Sequence, residues 1–227
     1  MLIFLSAVWL IGCWLVAIGV RPPLQPSSAS YEPQVRIMLL CLTSGFMIGW
    51  PLLRLSQSPS RAPGRQTLLD LLVLISMLQV VLWPVRLVTT WSVLRTAAID
   101  ATMAGWLLLA GAMVAAGSGS VQPGPRTLAM LGCLGLCFLG PILAVLGLMS
   151  GIDAMGLIEL SPLMAMLTLG DGGSSPITRT QWSWVVLLHG SAAAVWLSYL
   201  VWSIWSGRSS SRSERGIMTR KGAAQGR

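Results

Sequence analysis

The sequence predicts an all-α, polytopic transmembrane helical bundle of about six spans, and three observations lead to it. Six apolar stretches, 2–20, 36–53, 68–84, 98–116, 127–149 and 181–206, interrupt an otherwise polar chain. Each reaches or approaches the roughly 20 residues that a helix needs to cross a bilayer core of about 30 Å. Only 10% of the 227 residues are charged against 54% hydrophobic, with a mean hydropathy of +0.74, whereas soluble domains carry about 25% charged residues. The apolar runs are also continuous rather than alternating. That selects helices over a closed barrel, the other architecture that satisfies backbone polar groups in lipid. Residues 1–206 read as one transmembrane domain. Residues 207–227, rich in Ser, Gly and Arg, read as a basic, disordered cytoplasmic tail.

The first run starts without a preceding Lys or Arg and continues past Leu10-Ile11-Gly12-Cys13, a lipoprotein-like box, so it reads as a retained helix and not a cleaved signal. Residues 21–35 carry Pro22, Pro23, Pro26 and Pro33 and are expected as a loop, because proline removes a donor and breaks a helix interior. Residues 55–66 and 117–125 are further Pro/Ser/Gly breakers. The stretch 85–97, with Trp91 between Arg86 and Arg95, reads as an interfacial helix or an extension of the third span, and Pro84 as a kink or a start. Residues 154–169 are too short to cross and return. With Ser161-Pro162 interrupting them and a Gly170-Asp171-Gly172-Gly173 turn after them, they suggest a re-entrant or interfacial hairpin between spans five and six, within 150–180.

The net charge is +8. Ten of the fifteen Lys and Arg fall in 54–67, 117–126 and the tail. By the positive-inside rule this places both termini in the cytoplasm of a multi-pass protein of the inner (plasma) membrane. Membrane lipid is then the natural partner of the tail. Nucleic acid is not, since the tail has no aromatics and no recognisable binding fold. Six of the eleven tryptophans (Trp50, Trp83, Trp182, Trp184, Trp202, Trp205) fall near span ends, as an interface belt does.

Catalytic and metal motifs are absent from the pattern. There is no phosphate loop, HExxH or CxxC, and a single histidine excludes zinc sites built on two. Cys13, Cys41, Cys133 and Cys137 all lie in spans and read as small buried thiols. No cofactor or metal is expected; Met155, Met164 and Met166 read as apolar filler rather than copper ligands. Intramembrane ionisable groups are functional candidates, which singles out His189 and Glu159 as polar or pathway residues. Asp70 and Asp100 are expected near helix N-termini, favoured by the helix dipole, with Arg86 or Arg95 pairing with Asp100. Gly45-x3-Gly49 and Gly147-x3-Gly151 are small-residue pairs for helix packing, as are the stripes Ala97/Ala101/Gly105 and Gly190/Ala194/Ser198. Such stripes suggest a tight bundle and a homodimer.

Span count, termini and the element at 150–180 with its Ser161-Pro162-Leu163 turn make the chain resemble, as an architecture, the membrane (permease) subunit of ABC-2-type exporters. The resemblance implies a permease half that works with a separate ATPase subunit, which would be met at an inner coupling loop carrying Arg54, Arg61 and Arg65. Two features depart from that pattern: no amphipathic helix precedes span one, and the inner loop is Pro/Ser-rich. The alternatives are a non-catalytic scaffold or anchoring subunit and an intramembrane enzyme using His189 or Glu159.

Overall fold

The structure, a computed structural model, describes residues 2–19, 28–60, 62–150 and 160–224, and all regular elements among them are helical. In chain order they are α1 (Leu2–Trp14, continued by a π turn Leu15–Gly19), α2 (Ser28–Ser44), a π turn Gly45–Gly49, α3 (Trp50–Ser56), α4 (Pro63–Val85), α5 (Val93–Ser118), α6 (Pro123–Ser150), α7 (Pro162–Asp171) and α8 (Arg179–Ala224). Five continuous helices are long and apolar enough to cross a membrane: Ser30–Ser56, Pro63–Val85, Val93–Ser118, Pro123–Ser150 and Arg179–Trp205. The apolar helix Phe4–Ala17 is shorter. An all-α helical membrane bundle of about six spans is the result.

Helix α5 is the axis of the bundle. It packs against α3, α4, α6, α7 and α8, and it is the most buried span, whereas α8 is the least buried. Leu107, Ala110 and Val114 on α5 are fully enclosed, with Leu42, Leu78 and Cys137 facing the same core. Helix α1 packs on α2 and α4 at the periphery. The loops 57–62 and 119–122 share one end of the bundle. The turns 86–92 and 172–178 share the other, where α7 lies.

Several boundaries differ from the sequence expectation. Pro33 lies inside α2, which begins at Ser28. It sits only about one and a half turns from the helix start, where few backbone bonds depend on its missing N–H. Pro51 acts differently. It follows the turn Gly45–Gly49, where the Trp50 N–H bonds to the Gly45 carbonyl in a π pattern. The proline ring crowds the carbonyl four residues back, and the wider turn gives that carbonyl room. The stretch 85–97 is neither an interfacial helix nor an extension of span three. Helix α4 stops at Val85, just past Pro84, and α5 begins at Val93. Ser92 caps α5 by accepting the Arg95 N–H, and Thr96 donates both its N–H and its hydroxyl to the Ser92 carbonyl. Helix α8 is drawn on as far as Ala224.

Candidate functional site

Helix α7 is fastened to the bundle at both ends, and proline chemistry in a neighbouring helix explains one of them. Pro141 lies inside α6 and has no N–H for the carbonyl of Cys137, four residues back. The hydroxyl of Ser161, fully buried at the N-terminus of α7, donates to that same carbonyl at 2.8 Å. A group that lipid cannot satisfy is thereby paired by a second helix. Pro162 then starts α7 at a position where a missing N–H costs nothing.

At the other end of α7 the anchor is Arg95, 2% exposed. Its Nη1 donates to the Leu169 carbonyl and its Nη2 to the Ser175 carbonyl, each at 2.7 Å. A guanidinium at a helix C-terminus meets both free carbonyls and the negative end of the dipole. Gly172 makes room for it, since a Cβ there would overlap the guanidinium. Arg36 of α2 pairs with Asp171 at 2.5 Å, and the Thr90 hydroxyl donates to the Glu32 carboxylate beside them. The expected pairing of Arg95 with Asp100 does not form. Asp100 instead accepts from Gln79 Nε2 at 2.7 Å. Asp70 and Asp100 also sit about two turns into α4 and α5, beyond the first turn where dipole stabilisation acts, because both helices begin earlier than the apolar runs.

Beside α7 lies a cleft of about 340 Å³. Its floor is α5 (Thr102, Trp106, Leu109), its walls are α6 (Leu136, Leu139) and α8 (Trp184, Leu188, Ser191), and α7 closes one side with Ala165 and Leu169. Helices α6 and α8 each pack on α5 but scarcely touch one another. The three wall hydroxyls are used within their own helices: Thr102 donates to the Ala98 carbonyl, Thr168 to Ala165 and Ser191 to Leu188. The cleft is mostly apolar, with Gln181 at its upper edge, and the buried indole N–H of Trp106 on its floor has no hydrogen-bond partner. A second, wider seam of about 840 Å³ separates α1 from the 45–49 turn and α3, and it is almost wholly apolar.

His189 stands next to the first cleft, not in its lining. Its Nδ1 lies 2.9 Å from the Val185 carbonyl one turn back, so in this pairing Nδ1 carries the proton. Its ring rests on Gly105, where a Cβ would come within 3.1 Å of Cε1. About two turns further on, Trp196 Nε1 donates to the Leu108 carbonyl at 2.9 Å and ties α8 to α5. Glu159 and Gly151 lie outside the described residues, as does Arg61.

The basic end departs from the expected coupling loop. Arg54 is only 5% exposed and faces inward. Its Nη1 donates to Gln57 Oε1 at 2.6 Å, and its Nε lies 3.3 Å from Asp70 Oδ2. Trp50 Nε1 is directed at the same carboxylate, outside strict hydrogen-bond geometry. Arg126 holds the loop by donating to the carbonyls of Ser120, Leu55 and Gln57. Arg65, in the first turn of α4, is exposed.

The small-residue stripes divide. A Cβ at Gly45 would overlap the Trp9 indole of α1, so that position sets a helix contact, whereas Gly49 and Gly190 have open space around them. Gly147 is half-buried on α6. Gly190, Ala194 and Ser198 all face outward, because the packing face of α8 is the one carrying Val185, Ala192 and Trp196. Within the chain, that stripe therefore makes no helix contact.

Comparison with family models, with curated proteins and with solved structures finds no match for this chain. Fold and surface define its class: a multi-pass integral membrane protein.

Proposed function

We propose that the protein is the membrane-embedded half of a two-component machine, with the permease half of an exporter as its specific form. The observation that carries this reading is α7, a short helix between the last two spans, anchored at both ends and flanking an open cleft. ABC-2-type exporters, which the sequence resembles, carry such an element at this place. The centre of the bundle is filled by Leu107, Ala110 and Val114. A substrate would therefore move along the α6/α8 side or between two copies, not through the middle of one chain. The ATPase contact is reassigned accordingly: Arg54 is held inside the chain, so a partner would meet the exposed Arg65 and the extension of α8 beyond Trp205. Both termini would face the cytoplasm.

One observation favours the scaffold reading. Helix α8 runs 46 residues, about 69 Å at 1.5 Å per residue. That is more than twice a bilayer core of about 30 Å, so the basic part would project as a docking helix.

Affinity purification of the tagged full chain in mild detergent, with mass spectrometry of what accompanies it, separates the two. The exporter reading expects a stoichiometric nucleotide-hydrolysing subunit, lost when 207–227 is removed or when Arg65→Glu is introduced. An assembly without such a subunit, still lost on removing 207–227, establishes the scaffold and removes the exporter.

A further inference from the structure

We propose that the cleft between α6 and α8 is a binding site for one acyl chain of a membrane lipid, taken from the leaflet on the α7 side. The proposal goes beyond the partner reading and holds whether or not an ATPase couples to the chain.

Four observations carry it. The cleft opens sideways: Leu139 on α6 and Leu187 on α8 form its lips and both are exposed. Its interior suits hydrocarbon, because the hydroxyls in its walls already donate to their own helices. Water needs two or more polar partners to occupy such a space, and an empty space forfeits dispersion contacts on every wall.

Its depth fits one leaflet. The lining on α8 runs from Gln181 to Ser191, which is about 15 Å of helix and about half of the hydrocarbon core. A polymethylene chain of that length, on the order of 300 Å³ at ordinary carbon contact distances, is accommodated in a cleft of about 340 Å³.

The mouth suits a headgroup. Gln181 and Trp184 sit at the start of α8, with exposed Arg179 just above them. An amide, an indole and a cation at that level match the polar and phosphate layer of a phospholipid.

The test uses the full chain in phospholipid nanodiscs doped with a phosphatidylcholine that carries a diazirine on its acyl chain. After illumination, adducts are mapped by mass spectrometry. The expected result is saturable labelling concentrated on Trp106, Leu136, Leu188 and Ser191. Ser191→Trp should fill the cleft and lower the yield by about tenfold or more, which is what losing two buried methylenes is worth. Leu197→Trp, on an exposed face of α8, should leave it unchanged. Should Ser191→Trp fail to give a monodisperse protein, Ala165→Leu fills the same space from α7. Labelling spread evenly over the exposed helix faces overturns the proposal. So does an unchanged yield in a folded cleft-filling variant, or a ready disulfide between two copies through Leu187→Cys. Labelling is read without nucleotide or partner, so its failure is distinct from failure of the purification experiment.

Discussion

Ser161→Ala offers the sharpest test of how α7 is held. The hydroxyl is fully buried and donates at 2.8 Å to the Cys137 carbonyl, which Pro141 has deprived of its helical donor. Removing it leaves a buried carbonyl with no partner, a loss of about 1–3 kcal/mol, and we expect a value near about 2 kcal/mol. Pro141→Ala restores an N–H at the position that closes the α-helical bond to Cys137. In that background Ser161→Ala should cost less than about 1 kcal/mol, so the two substitutions couple by about 1–2 kcal/mol. The assay is reversible unfolding in mixed micelles with increasing SDS, applied to the parent, both single variants and the double variant. Costs that add to within about 0.5 kcal/mol would show that Ser161 and Pro141 act independently, and would refute the view that the serine replaces the donor lost to proline.

The same assay tests the other contacts. Arg95→Ala should cost about 2 kcal/mol or more, because two charge-assisted bonds are lost, one of them to the buried Leu169 carbonyl and the other to that of exposed Ser175. Gly172→Ala should be destabilising in the parent yet near neutral in the Arg95→Ala protein, since the guanidinium is what its Cβ would strike. At the basic end, Arg54→Ala should cost about 3 kcal/mol by leaving the Asp70 carboxylate unpaired, whereas Arg54→Met with Asp70→Leu should be neutral or stabilising. Gly45→Ala should loosen α1 by displacing Trp9, while Gly49→Ala and Gly190→Ala, facing open space, should leave the unfolding midpoint unchanged. Trp196→Phe should cost about 0.5–1.5 kcal/mol through the lost bond to Leu108.

Much of the fold is legible in the residue order. The helical class and the count of about six spans follow from run length alone, because a bilayer demands a minimum stretch of apolar helix. Ser161-Pro162 announces the start of α7, and Pro63 and Pro123 stand at the starts of their helices. Pro33 does not break α2, because proline near a helix start removes few bonds. In the sequence Arg95 reads only as a cation of the stretch 85–97 that could meet Asp100; its partners are backbone carbonyls 74 and 80 residues away, which side-chain spacing cannot reveal. The cleft was not legible at all, for it lies between α6 and α8, which meet only through α5.

The sequence by itself determined which segments enter the membrane, that they are helices, and which groups would need partners once there. Only the tertiary structure decided who those partners are and which face of each helix points inward. The reason lies in the solvent. In water, an apolar stripe identifies the core-facing side of a helix, but lipid is as apolar as a protein interior, so both faces carry the same residues. The sequence offers the small-residue stripe Gly190/Ala194/Ser198 of α8 as its packing face, yet that stripe faces outward and Val185/Ala192/Trp196 face inward. They are told apart by fit alone: the Trp196 indole reaching the Leu108 carbonyl, and His189 resting where Gly105 lacks a side chain.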